Sequence, residues 1–277
     1  MEPDLTRIPD VNRIIVNLND KTTPIVVLFG PQSCGKTMMT IRLTRWLRAH
    51  HYHVEPDHNF RPGNDELYKK MCDSFDENVN SDYAAERTHL CNFMLVKVMN
   101  KYGEPICQLL EAPGDHYFDD KYPNMGFPLY INRICATDNP KIWMFIVERY
   151  WKDAKDRLNY ANKIIKMQSL IEPSDRVIFT CSKSDCHPGL FNAGQPNVPQ
   201  FFKDIKNQYP GIFSKYEVKN PIVRLWRKYN CDFVVFSAGA FYDTADGGLY
   251  YSPSKDLYPA NLWKSIIKNL RKMNKKK

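Results

Sequence analysis

The sequence predicts an α/β fold: a mostly parallel six-stranded sheet with one antiparallel hairpin strand and helices on both faces. Three observations predict it. Continuous apolar, β-branched runs recur along the chain, and a strand buried on both faces reads as such a run and not as an alternation. Helix-length segments with apolar residues three and four apart follow several of these runs. Only one pair of runs is spaced for a hairpin, so the other connections are crossovers, which require parallel pairing.

The first run is 24–29 (PIVVLF), and a helix over 37–48 follows it. Met39, Leu43, Trp46 and Leu47 share one face of that helix, with Arg42, Arg45 and Arg48 on the other. Runs 92–99 and 106–110 flank Asn100, Lys101, Tyr102 and Gly103, which reads as the hairpin. Run 141–147 (KIWMFIV) is another buried strand. Ala154, Leu158, Ala161 and Ile165 then mark a helix that stops near Pro173. Runs 176–180 and 232–236 complete the strands, and Leu262, Trp263, Ile266, Ile267 and Leu270 form the apolar face of a closing helix. Residues 1–22 read as an N-terminal extension, with a short strand or helix through 11–18. Residues 23–277 read as a single domain carrying insertions at 52–87 and 186–230 and a basic C-terminal helix at 259–277. The first insertion is acid-rich and holds one expected helix around 65–75; the second holds helices at 199–207 and 221–229.

Composition narrows the function classes. The chain has 277 residues, 43% of them hydrophobic and 25% charged, which excludes collagen-like and low-complexity classes. No stretch approaches the roughly 18 to 20 apolar residues of a membrane span, and the start lacks a signal-peptide core, so the expected location is cytoplasmic. Eight scattered cysteines without a CxxC pair read as reduced thiols, and neither the His50, His51, His53, His58 group nor Cys181, Cys186 and His187 has zinc-site spacing. The net charge of +8 sits in the tail: 264–277 carries seven basic residues, and the remaining 32 basic residues face 31 acidic ones. A basic helix end suits the helix dipole; contact with an anionic membrane or nucleic acid is the other reading of this tail.

Residues 30–37 read GPQSCGKT, which matches GxxxxGK[ST] between a buried strand and an amphipathic helix, the context this phosphate-binding motif requires. Gly30 and Gly35 allow the tight turn, so that the amides of Gln32, Ser33, Cys34, Gly35, Lys36, Thr37 and Met38 can face a phosphate chain at a helix N-terminus. Lys36 supplies a point charge for terminal phosphates and Thr37 a hydroxyl for Mg²⁺. Nucleoside triphosphate binding follows from these residues.

Four further segments sit at the ends of the predicted strands, and with the loop they give the sequence a resemblance to the Ras-like P-loop GTPases of the translation-factor-related class. Thr88, in ERTHL, stands where that family has a threonine that binds Mg²⁺ and senses the γ-phosphate. Residues 111–114 (EAPG) resemble its DxxG, which implies that Gly114 gives its amide to the γ-phosphate and Glu111 serves Mg²⁺. Residues 182–185 (SKSD) resemble the [NT]KxD guanine signature: Asp185 can accept two hydrogen bonds from guanine, which adenine cannot donate, and the Lys183 stem would lie along the base. Ser237, Ala238 and Gly239 resemble the SA[KL] motif that faces the guanine oxygen. The resemblance implies a GTP- and GDP-binding molecular switch that uses Mg²⁺ and hydrolyses GTP.

The sequence departs from that pattern in three places. Glu111 replaces an aspartate, Ser182 replaces an asparagine, and no glutamine follows Gly114. Asp115 and His116 stand there; a neutral His116 could orient the attacking water and Asp115 less readily, or both are solvated loop residues. Arg87 could supply transition-state charge or face solvent. A protein effector or regulator is expected to read 52–87 and 115–130. An ATP-dependent ATPase or kinase and a non-hydrolysing nucleotide-binding scaffold remain as alternatives; no arginine-rich lid supports the kinase.

Overall fold

The structure is a computed structural model that describes residues 13–81, 94–243 and 249–274. In chain order its elements are β1 (Ile25–Phe29), α1 (Lys36–Ala49), β2 (His53–Pro56), α2 (Glu66–Asn80), β3 (Met94–Met99), β4 (Pro105–Glu111), α3 (Gly114–Tyr117), α4 (Leu129–Cys135), β5 (Lys141–Glu148), α5 (Ala154–Met167), β6 (Arg176–Ser182), β7 (Phe191–Asn192), β8 (Gln195–Pro196), α6 (Val198–Gln208), α7 (Pro221–Trp226), β9 (Asp232–Val235), β10 (Gly239–Asp243), β11 (Leu249–Pro253) and α8 (Leu257–Asn274).

The main sheet has seven strands in the order β2-β3-β4-β1-β5-β6-β9. Only β3 runs against its neighbours; every other pair is parallel. The six expected strands are all present, and the seventh, β2, adds an edge beside β3. Its four residues, HVEP, bury only Val54 and Pro56 and end on a proline, which a sheet tolerates at an edge.

The unbroken apolar runs are explained by the two-sided core. Ile25, Val27 and Phe29 of β1 enter one apolar layer with α4, α5 and α6, while Val26 and Leu28 enter the other with α1 and α8. β5 divides likewise, Trp143, Phe145 and Val147 against Ile142, Met144 and Ile146. Every residue of such a strand faces a helix layer, so alternation disappears.

The helices required more correction than the strands. In α5 the buried face is Tyr160, Ala161, Ile164 and Met167, whereas the expected Leu158 and Ile165 are 46% and 39% exposed. Tyr160 turns the helix: its hydroxyl donates to Ile146 O at 3.0 Å, and its ring packs with Phe29, Phe118 and Trp151. The arginine face of α1, placed as expected, is a set of clasps. Arg42 is buried and binds Ser254 O and Asp256, both at 2.6 Å; Arg45 binds backbone carbonyls at the end of α2; Arg48 binds Val54 O at 2.6 Å.

Further boundaries shift for local reasons. α2 begins after Asp65, whose carboxylate accepts from Tyr68 N, and runs to Asn80, beyond the expected end. α7 stops at Trp226, short of the expected 229, because 228–230 turns back to pair with 216–218. No strand or helix spans 14–18; residues 11 and 12 of that expected element lie outside the described residues. The seven described cysteines are free thiols, and among the described residues no three His, Cys, Asp or Glu side chains form a metal-binding group. No helix among them is long and apolar enough to cross a membrane.

Candidate functional site

Parallel pairing puts the carboxyl ends of β1, β4, β5, β6 and β9 on one edge of the sheet, where ligands of such sheets bind. The register aligns Leu28 with Glu111, Glu148 with Ser182 and Cys181 with Val235. The motif segments 30–37, 111–114, 182–185 and 237–239 therefore emerge side by side. Thr88 and Arg87 lie outside the described residues.

The loop after β1 turns through two left-handed residues, Ser33 (φ 62°) and Gly35 (φ 89°), and delivers the chain into α1. Such a turn gathers successive amides into a concavity suited to phosphate. Gly30 has no space for a side chain, since an added Cβ would lie 2.6 Å from the Cys34 sulfur. Cys34 is fully buried, and burial pushes its thiol up. Lys36 is buried too; its Nζ donates to Gly30 O and Pro31 O, each at 2.9 Å, so the charge is held inside the loop it would serve.

The Thr37 hydroxyl donates to the Glu111 carboxylate. Glu111 is 6% exposed, and burial pushes its carboxyl above the usual range against the pull of Thr37 and the Lys36 charge. The extra methylene of this glutamate is thus enough to reach the hydroxyl directly. A buried carboxylate with a hydroxyl beside it is an oxygen donor pair of the kind a hard divalent cation takes.

The turn after β4 sits directly on the 30–37 loop. A Cβ at Gly114 would lie 2.1 Å from Gln32 N and 2.3 Å from the Pro31 carbonyl carbon, so only glycine allows this approach. Gly114 starts α3, which carries Asp115 and His116. His116 does not point freely into solvent: its Nδ1 is 2.5 Å from the hydroxyl of Tyr130, a fully buried residue of α4. Burial holds its imidazole below the usual range, with Asp115 opposing and the Lys36 charge adding to the effect. His116 is therefore an oriented ring whose burial favours the uncharged form, with Lys36 acting in the same direction.

Further along the same edge of the sheet, Ser237 Oγ donates to Asp185 Oδ1 at 2.7 Å, bringing together the segments after β6 and β9. Backbone bonds from Ser184 N to Phe236 O and from Phe236 N to Cys181 O lock the two loops. Lys183 takes a left-handed conformation (φ 51°) and pairs with Glu148 at 2.9 Å. Ser182 is buried, and its hydroxyl lies 3.4 Å from Val147 O. It bonds along the sheet, where an asparagine amide would reach further.

The sequence reading missed Glu148, Tyr130 and the β10–β11 hairpin. That hairpin holds the 237–239 segment: Tyr251 Oη donates to Ala238 O at 2.7 Å, Ser254 Oγ to Ser237 O at 2.7 Å, and Arg42 fastens its end to α1. Asp246-Gly247 between FYD and LYY was its sequence signal. Gly239 has φ 151°, and a Cβ there would lie 2.1 Å from Ser252 O. Gly239→Ala is expected to cost roughly 3 kcal/mol from backbone strain and overpacking, measured as a lowered denaturant midpoint with an unchanged slope.

No known family model matches the chain, and no curated protein sequence matches it. Among solved structures it is similar to nucleolar GTP-binding protein 1 from Plasmodium falciparum, with 13% identity and a TM-score of 0.48 over 95% of this chain and 93% of that one. It is also similar to the septin GTPase domain from Chlamydomonas reinhardtii, with 12% identity and a TM-score of 0.35 over 92% of this chain and 95% of that one. A point variant of SsGBP matches with 12% identity and a TM-score of 0.35 over 90% of this chain and 56% of its own length. At these identities and scores the likenesses carry no argument about what this chain binds.

Proposed function

We propose that the chain binds GTP and GDP with Mg²⁺, hydrolyses GTP to GDP and phosphate, and acts as a nucleotide-dependent switch for a protein partner, as Ras-like P-loop GTPases of the translation-factor-related class do. One observation carries this reading: the separated motif loops meet in the order a nucleotide needs. Thr37 meets Glu111 beside the loop that holds Lys36, where phosphates would lie, and Asp185 meets Ser237, where a base would lie.

In this reading Lys36 moves from the Gly30 and Pro31 carbonyls to the terminal phosphates. Thr37 and Glu111 fit Mg²⁺ as its oxygen donors, and Mg²⁺ when bound would neutralise charge on the β- and γ-phosphates. Asp185 accepts from Ser237 at Oδ1 and from the Cys186 thiol at Oδ2, and its remaining lone pairs accept from the guanine ring N–H and amino group. The Gly114 amide faces the γ-phosphate, and the neutral His116, steadied by Tyr130, orients the attacking water; Asp115 would repel the phosphate. The switch follows from Gly114, because its turn packs on the phosphate loop and so must answer to what the loop holds. Tyr122, Met125 and Leu129, between 51% and 64% exposed, give 115–130 an apolar surface for a partner to read.

The test is phosphate release from GTP by the full chain with Mg²⁺ and with a chelator. Mg²⁺-dependent release supports the reading; tight GTP binding with release no faster than in buffer would leave a non-hydrolysing scaffold. Gly114→Ala is expected to push the turn off the loop and lower kcat about a hundredfold, the order of loss a 1 Å misplacement causes. An unchanged kcat would remove this turn from the reaction.

A further inference from the structure

β9 is the last strand of the sheet. β6 pairs with one of its edges, and among the described residues no strand pairs with the other. A free edge offers unpaired backbone donors and acceptors to any extended chain that reaches it. A groove of about 630 Å³ lies along this side, lined by Phe233 of the strand itself, Phe202, Lys228, Lys264 and, at one end, Trp226.

The short helix α7 stands at that end and turns its large apolar residues outward. Ile222, Leu225 and Trp226 are 71%, 83% and 90% exposed. Single exposed apolar residues are ordinary, but three on one six-residue helix beside a groove form a patch of the kind that marks an interaction site. The helix is held in place. The Asn220 side chain accepts from Ile222 N and Val223 N, and the bridge between Glu217 and Tyr229 closes its base.

Charge selects the occupant. Arg227, Lys228, Lys264 and Lys268 line the groove against one acid, Asp232. That carboxylate is already engaged, accepting from Ser265 at 3.1 Å, Lys268 at 2.9 Å and Asn269 at 3.0 Å. The same contacts account for part of the basic C-terminal helix, which is turned toward β9 and not wholly toward water. The field left over is positive. We propose that this face docks an acidic, extended segment of a partner protein, which adds a strand to the free edge of β9 and seats an apolar side chain against Leu225 and Trp226. Backbone pairing would supply affinity, and alternating side chains would supply selectivity. A nucleic acid would satisfy the cations but would leave the sheet edge unpaired.

The test uses the full chain without nucleotide and a set of fluorescent peptides of about twelve residues that alternate Asp or Glu with Val, Leu or Phe. A matched set carries Lys and Arg in place of the acids. The acidic set is expected to bind at least about tenfold more tightly, with affinity falling as salt screens the charges. Amide exchange should slow at 232–235 on binding. Leu225→Ser/Trp226→Ser and Lys228→Glu/Lys264→Glu alter exposed side chains, so each should keep the thermal midpoint while weakening acidic-peptide binding roughly tenfold. Four results would overturn the proposal: no acidic peptide binding below about 1 mM; binding indifferent to both variants; exchange protection elsewhere than β9; or tighter occupation of the same residues by single-stranded RNA, by phosphatidylserine vesicles or by a second copy of the chain in sedimentation.

Discussion

Lys36→Met is expected to lower GTP affinity by about 4 kcal/mol, roughly a thousandfold, the scale of removing one partner from a desolvated, hydrogen-bonded charge pair. Methionine keeps the volume of the buried stem and removes only the ammonium. The Gly30 and Pro31 carbonyls lose the donor they share at 2.9 Å, which costs stability only about 1 to 2 kcal/mol. The two effects separate cleanly. Titration of a fluorescent GTP analogue should show binding nearly abolished, while thermal unfolding shows a modestly lowered midpoint. Binding within threefold of the unaltered chain would place the phosphates somewhere other than the 30–37 loop.

Asp185→Ala is expected to cost GTP about 3 kcal/mol, a factor of roughly 150, because two charge-assisted hydrogen bonds to the base disappear together. ATP affinity should change little, since adenine presents no donor pair to the carboxylate. Ser237, 2% exposed, loses its acceptor at the same time, which is expected to lower stability by about 1 to 3 kcal/mol without separating GTP from ATP. Competition of GTP and ATP for the same labelled nucleotide reads both affinities in one experiment. A parallel loss for GTP and ATP would mean that Asp185 shapes the loop and does not read the base.

The sheet was legible because each buried strand announces itself. In β1, and in β5 from Ile142 to Val147, every side chain has an apolar layer to enter, so the pattern needs no context. β2 was not legible: four residues, two of them exposed and one a proline, become a strand only because β3 offers an edge. The face of α5 was misread because an apolar count passes over Tyr160, whose hydroxyl must be matched with a carbonyl before its ring can be buried. Of the candidate site, the loop order and the strand ends could be read directly. Its long-range geometry could not. The Tyr130 bond to His116 spans fourteen positions, and Arg42 reaches Ser254 across 212, distances at which residue spacing carries no information. Glu111 was identified by motif, but only the structure shows that its longer side chain meets Thr37.

One site is expected to take phosphates at Lys36 and guanine at Asp185. Calorimetric titration of the purified full chain with GDP and ADP, under one Mg²⁺ concentration and one ionic strength, tests it most directly. GDP is expected to bind at least about a hundredfold more tightly, as a site built to accept hydrogen bonds rejects a base that cannot donate them. ADP binding as tightly as GDP, or more tightly, would contradict the account.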